Sequence, residues 1–298
     1  MKVLLAVSGG IDSMYMAERA PELFPGASFA VAHCNFCLRG EESDGDEAFV
    51  REWCSRKGLP IFVKRFDTAA YAAEGHLSIE MAARELRYDW FGQLCREEGF
   101  DKVAVAHNAD DNAETFFLNL LRGAGTRGLR GMESHGIILR PLLGISRQEI
   151  REWMDERGLP WREDSSNASP VHKRNRLRAE VLPVLKELNP SLLHTLALDA
   201  EHIRQVDDIA EGYFLSVRDS VWDGRYIQIK KLLALEHPRY VLFRLVEPAA
   251  LTETALDNLW ETISSGRQVG GRVFVGKRGK VLGRPKWRLE LELIDKTC

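Results

Sequence analysis

The strongest constraint on this chain is an alternation of two periodicities in its first half. Residues 2–7, 28–33, 61–64 and 102–106 are apolar runs bounded by turn signals. Between them lie 13–21, 44–57, 79–97 and 110–122, where apolar residues recur at steps of three and four. In 79–97 these are Ile79, Ala82, Ala83, Leu86, Trp90, Phe91 and Leu94. Short strands alternating with helices of this length need right-handed crossovers, and crossovers generate a parallel sheet. Residues 137–140 add a fifth strand and 147–157 a further helix. The fold class expected is therefore α/β, with a doubly wound, mostly parallel five-stranded sheet.

Beyond residue 188 the pattern changes. Residues 191–217 form one long periodic segment, and shorter helical patterns follow at 238–246 and 253–264. Residues 269–275 and 287–293 read as strands, the second because Arg288, Glu290 and Glu292 alternate with Leu289, Leu291 and Leu293. At roughly 150 residues per domain, 298 residues suit two domains. The expected division is 1–187 and 188–298, at Asn189-Pro190, with the second domain smaller and helix-rich.

Composition excludes several classes. Apolar residues make up 45% of the chain, which rules out disorder. No run approaches the ~18 apolar residues of a membrane span. The apolar N-terminus runs straight into Ser8-Gly9-Gly10, too short for a signal-peptide core. Five scattered cysteines suit reduced thiols in the cytoplasm. The formal net charge of -3 counts against nucleic acid, but it averages two local extremes. Residues 41–47 hold five acids, whereas 266–288 hold eight Lys/Arg and no acid. With Lys173, Arg174, Arg176 and Arg178, the basic stretches suit a phosphate backbone, offset by an acidic core surface.

The chemistry concentrates at strand ends. Ser8-Gly9-Gly10-Ile11-Asp12-Ser13 joins the first strand to the first helix. Its glycines let the backbone turn tightly, and the free amides of a helix start form an anion site. Asp12 would repel phosphates unless Mg²⁺ bridged them. Without a ligand, the same string is a strand-to-helix turn with a favourable first-turn acid. His33 and His107 also lie just past strand ends, where ligands of open α/β sheets collect. Asp111 and Glu114 are three apart at a helix start and share one face. Two carboxylates there can hold an ammonium group, and one can take its proton; the competing reading is charge complementarity at a helix N-terminus.

The loop Ser8–Ser13 resembles the SGGxDS loop of the PP-loop ATP pyrophosphatases. That family binds ATP, adenylates an oxygen of its substrate and releases pyrophosphate. Three more segments are similar to the tRNA(Ile)-lysidine synthetases. They are His33-Cys34-Asn35-Phe36-Cys37-Leu38-Arg39, the run Ala106 to Gly125, and Arg140-Pro141-Leu142-Leu143 followed by Asp164-Ser165-Ser166-Asn167 and Arg174 to Arg178. The resemblance spans roughly residues 3–187. It implies that ATP activates C2 of the wobble cytidine in a tRNA-Ile with a CAU anticodon. Free lysine then displaces AMP through its ε-amine. It also implies roles: Ser8, Gly9, Gly10, Ile11, Asp12, Ser13, His33 and Arg84 at ATP; Asp12, His107, Asp111 and Glu114 in catalysis; Asp111 and Glu114 at lysine; Arg122, Arg174 and Arg178 at tRNA. ATP and Mg²⁺ are the expected cofactors, with Mg²⁺ on Asp12. The oligomeric state stays open, a homodimer included.

The chain departs from the family pattern at Phe36 and Asn108, where histidines are usual, and at Asn112, where glutamine is usual. No proton-handling role is assigned at 36 or 108. Cys34-x-x-Cys37 keeps a competing reading alive, a PP-loop sulfur transferase acting on cytidine C2. A nucleotide sensor is a third, but it has no use for the carboxylates at 110–114.

Overall fold

The computed structural model describes residues 1–163 and 173–294, so Asp164-Ser165-Ser166-Asn167 lies outside the described residues. Two compact units divide at Arg204/Gln205.

In the first unit the order is β1 (Lys2–Ala6), α1 (Ile11–Glu18), α2 (Ala20–Leu23), β2 (Ser28–Asn35), α3 (Glu41–Lys57), β3 (Ile61–Arg65), α4 (Thr68–Glu74), α5 (Ile79–Glu98) and β4 (Lys102–Ala104). There follow α6 (Ala109–Leu121), α7 (Thr126–Leu129), β5 (Ile138–Leu139), α8 (Arg147–Glu156), α9 (Lys173–Arg176) and α10 (Leu182–Leu188). The long helix α11 (Leu192–Val221) contains the division between the units.

The sheet order is β3-β2-β1-β4-β5, and every pairing is parallel. Strand alternation shows why the winding is double. Val3 and Leu5 of β1 pack on one face against Met14 and Met16 of α1, Val50 and Trp53 of α3, and Ile150 and Met154 of α8. Leu4 faces the other side, with Trp90, Phe91 and Leu94 of α5. Both faces of the sheet are thus covered, which explains the continuous apolar runs in its strands. The order reverses direction between β1 and β4. That switch point opens a crevice beyond the carboxyl ends of these two strands.

Pro190 follows Asn189, the residue that ends α10, so the chain bends where the sequence places a domain boundary. The division by packing falls about fifteen residues later, inside α11.

The second unit is not purely helical. It contains β6 (Tyr226–Gln228), α12 (Ile229–Leu233), α13 (Pro238–Val246), α14 (Glu253–Ser264), β7 (Val273–Val275), β8 (Gly279–Arg284) and β9 (Arg288–Leu293). The strands form an antiparallel sheet in the order β6-β9-β8-β7. Leu242, Val246, Leu259, Ile263, Val281 and Leu289 form its core.

Candidate active site

The loop after β1 gathers its amides around one hydroxyl. The N–H groups of Ser8 and Gly9 donate to Ser13 Oγ at 3.1 and 3.2 Å, and that hydroxyl donates to the Gly10 carbonyl at 2.8 Å. Gly10 N–H points to Ser8 Oγ at 3.3 Å. Gly9 sits at φ +98°, a conformation that a side chain would strain. These donors converge at the N-terminus of α1, and the same geometry suits phosphate oxygens.

Asp12 projects from the first turn of α1 towards the start of α6. Asn108 caps α6: its Oδ1 accepts from Asp111 N–H at 2.9 Å, and Asp111 Oδ2 accepts from Asn108 N–H at 3.2 Å. The amide of Asn108 also donates to Asp12 Oδ1 at 2.9 Å. Fully buried Asn108 therefore ties the phosphate loop to the carboxylate helix. Sequence reasoning left this position without a role because it looked for a proton carrier.

A second tie is Arg147, the first residue of α8. One guanidinium nitrogen lies 3.5 Å from Asp12 Oδ2 and 3.6 Å from Asp111 Oδ1. Its backbone N–H donates to Asp110 Oδ2 at 2.8 Å, while Lys186 reaches Asp110 Oδ1 at 2.5 Å. Asp110 is accordingly held below the usual carboxylate range, although burial opposes this. Asp12 is shifted the other way. Burial raises it most, and nearby Asp111 adds to this against the opposing pull of Arg147.

Glu114 lies one turn along α6 and is 0% exposed. Arg178 grips it with two bonds, Nε to Oε1 at 2.6 Å and Nη2 to Oε2 at 3.0 Å. Arg174 Nε is 3.3 Å from Oε2, and its Nη2 donates to Thr115 Oγ1 at 3.0 Å. Both arginines belong to a helix whose turn at Leu177–Val181 is π-type, a widening that recurs at functional sites. Arg178 also comes within 3.6 Å of Asp111 Oδ1. Asp111 and Glu114 thus share a face as the spacing implies, but they differ. Glu114 is enclosed by guanidinium groups, whereas Asp111 meets cations only at longer range.

Beside these carboxylates is a cavity of about 320 Å³. Ser8, Gly10, Asp12, Ser13 and His107 form its polar side; Phe36, Phe91, Val105 and Cys34 form its apolar wall. Burial pushes the His107 imidazole down to about 4, with Asp111 opposing and Arg140 assisting. Its Nδ1 accepts from Arg140 Nε at 3.3 Å, consistent with a neutral ring. His33 is buried below the loop, its Nδ1 2.9 Å from the Val7 carbonyl; it supports the strand end without lining the cavity.

The arginines of α5 divide their roles. Arg84 is exposed and lies 4.9 Å over the Tyr88 ring, outside the cavity lining. Arg87, three residues on, lines the cavity and stacks 5.2 Å over Phe36. Sequence reasoning singled out the first and passed over the second, although both stand in one motif. Arg122 is exposed at the end of α6.

Two donor sets bear on bound groups. No cluster of three His, Cys, Asp or Glu suited to a metal occurs among the described residues. Asp12, a partly buried carboxylate beside the phosphate loop, fits the single protein ligand that a phosphate-borne Mg²⁺ requires. Cys34 and Cys37 offer a poorer donor pair: burial pushes the Cys34 thiol up to about 12, away from the reactive thiolate.

A 39% identical relative is the tRNA(Ile)-lysidine synthase of Parabacteroides distasonis, matched over 283 residues, 94% of this chain and 63% of the relative. The protein of that name from Chlorobaculum tepidum is 44% identical over 217 residues, covering 70% of this chain and 64% of the relative. The chain thus spans just under two thirds of the length of these relatives. Among solved structures, the U34-tRNA thiolase NcsA of Methanococcus maripaludis superposes with a TM-score of 0.57 at 19% identity, over 68% of this chain and 72% of that one, a likeness of fold. The PP-loop domain profile matches residues 1–185, the whole stretch that carries the sheet, the phosphate loop and the carboxylate helix. By that match, the chain belongs to the PP-loop domain family.

Proposed function

We propose that this chain uses ATP to activate C2 of the wobble cytidine in tRNA-Ile with a CAU anticodon, and joins free lysine there through its ε-amine. AMP and pyrophosphate are the products, and the tRNA then carries lysidine. The observation that carries this reading is the linked pair of sites: a phosphate loop and a carboxylate face tied together by Asn108 and Arg147. An enzyme that only hydrolysed ATP would have no use for the second.

The residues divide the work. The amides and hydroxyls from Ser8 to Ser13 hold the phosphates, with Arg87 and Phe36 on the nucleotide cavity. Asp12 would hold the Mg²⁺ that accompanies ATP, and such an ion would neutralise charge on the phosphates. His107, neutral at pH 7, accepts hydrogen bonds rather than adding charge beside the polyphosphate. Asp111 receives the lysine ammonium, because its Oδ1 is met by cations only at 3.6 Å. Glu114 stands behind it and orients Arg174 and Arg178 toward the tRNA side. Arg122 and the basic stretches supply contacts to the RNA backbone, and residues 188–298 the remaining tRNA grip. No described helix is long and apolar enough to cross a membrane, and a tRNA substrate places the enzyme in the cytoplasm.

The test is direct. Purified chain, ATP-Mg²⁺, labelled lysine and unmodified tRNA-Ile(CAU) should yield labelled tRNA. No incorporation by demonstrably folded protein would refute the reading.

A further inference from the structure

We infer that the groove between α14 and β7 is a ribose-phosphate subsite that prefers RNA to DNA. This rests on the proposal that the chain acts on a tRNA. The groove encloses about 430 Å³ within the second unit and shares no lining residue with the PP-loop cavity. Ala255, Asn258, Glu261 and Thr262 form one face of α14 along it. Arg267, Arg272 and β7 form the other.

Charge bookkeeping singles out this place. Of the eight basic residues in 266–288, two are spent inside the sheet: Lys280 pairs with Glu292, and Arg284 with Glu290 and Glu292. Arg288 lies over the Tyr226 ring. Arg267, Arg272, Lys277, Arg278 and Lys286 are exposed and have no ion-pair partner among the described residues, and of these only Arg267 and Arg272 line a groove. Two guanidinium groups therefore face one carboxylate, Glu261, in a single groove. A phosphodiester matches the guanidinium pair. Glu261, an acceptor only when ionised, matches the ribose 2′-hydroxyl, the group by which a protein tells RNA from DNA.

The strand adds donors. β7 is at the edge of the sheet. Gly283 N–H donates to the Arg272 carbonyl, and Gly276 N–H to the Gly279 carbonyl, so the even-numbered positions bond to β8. Antiparallel alternation then turns the backbone groups of Val273 and Val275 away from β8, and an antiparallel bridge between Leu251 and Gly276 covers the end of that edge beside Val275. These residues are 54% and 65% exposed, an apolar flank for the ribose. A protein strand added to this edge would leave both arginines unpaired, which favours a polyanion.

The test uses the full chain with oligouridylate, oligodeoxyuridylate and a tRNA-Ile(CAU) transcript. Removing a phosphate contact to a single strand lowers the slope of log K against log[salt] by about 0.7. Arg267→Gln/Arg272→Gln should therefore lose about 1.4 in slope on oligouridylate. Glu261→Ala should shrink the preference for the ribo- over the deoxy-oligomer. The charge-matched pair Arg56→Gln/Arg96→Gln, exposed and remote in sequence, should do neither. An unchanged slope in the groove variant overturns the inference, as does an equal drop in the control. Self-association abolished by Val275→Pro, with the RNA slope intact, assigns the edge to strand pairing and also overturns it. Labelled lysine incorporation separates the two levels: if wild type modifies the transcript while the groove variants bind normally, the subsite fails and lysidine synthesis stands.

Discussion

Arg178→Met isolates the pair that fixes the carboxylate face. Glu114 has no exposed surface, and Arg178 supplies bonds of 2.6 and 3.0 Å to its two oxygens. Each charge-assisted bond is worth about 1.5–3 kcal/mol. A buried charge stripped of its partner costs about 3–5 kcal/mol. Arg174 stays 3.3 Å from Oε2, and the Arg178 side chain is itself 27% exposed, so part of the attraction is already screened. The expected loss is therefore near the lower figure, about 3 kcal/mol. In a unit of about 200 residues that lowers Tm by roughly 6–12 °C. Replacing both partners, as Glu114→Gln/Arg178→Met, removes the stranded charge and should recover most of the loss. Thermal and urea unfolding followed by circular dichroism, run as a double-mutant cycle, should give a coupling of about 2 kcal/mol or more. A single-variant cost below about 1 kcal/mol, or additive effects in the cycle, would refute the reasoning. Glu114 would then be free to meet substrate directly.

Asp111→Asn should raise the lysine KM about 10–100-fold, the worth of one charge-assisted contact, and move the ATP KM far less; a comparable rise in both removes Asp111 from the ammonium site. His107 titrates near 4 in the fold against 6.5 in the unfolded chain. The unfolded state therefore binds the extra proton first, and stability falls as pH drops from 6.5 towards 4, by at most about 3 kcal/mol. His107→Asn should flatten that part of the urea-midpoint profile, and an unaltered profile would show that other groups set it. Cys34→Ser/Cys37→Ser should retain lysine incorporation, weakened at most through the ATP KM because Cys34 lines the cavity, and wild type should be colourless; an iron–sulfur absorbance in wild type that the double variant loses would revive sulfur transfer.

The first unit was legible because its signals were redundant. Buried parallel strands read as unbroken apolar runs, and all but β3 ended in a motif with its own chemistry. The second unit was harder for a local reason. Residues 279–284 carry two glycines and two cations and resemble a basic loop, yet they form β8 in the middle of the sheet. The glycines answer to close backbone approach: a Cβ at Gly283 would lie 1.7 Å from the Val269 carbonyl oxygen, and one at Gly279 would lie 2.5 Å from that of Glu292. Glycine inside a strand often marks such an approach, but a single sequence does not reveal the neighbour. The same limit hid Arg147. Nothing near it in sequence signals Asp12, which is 135 residues away. Asp111 and Glu114 were readable as a pair because helical spacing is local. Which of them would be enclosed depended on Arg174 and Arg178, some sixty residues downstream.

Charge was the least reliable guide, and the structure shows why. The acids of 41–47 read as an acidic surface offsetting a basic path, but three of them are taken up by partners, Glu47 in a buried position, Asp46 in a half-buried one and Asp44 in an exposed pair. Glu47 is buried, accepts from Asn35 at 3.0 Å and pairs with Arg51 and Arg65. Asp44 pairs with Arg65 at 3.0 Å. Asp46 takes Arg39 at 2.8 Å and Arg162 at 2.9 Å. Arg162 is in turn fixed to the phosphate loop, its N–H donating to the Gly9 carbonyl at 2.9 Å. The acidic run therefore braces the nucleotide site by consuming cations of the same unit. The excess that matters for RNA is what survives such pairing, and a count of charged letters cannot separate a spent arginine such as Arg284 from an unspent one such as Arg267. A net charge of -3 is compatible with RNA binding because the sum is blind to where exposed, unpaired cations such as Arg267 and Arg272 gather.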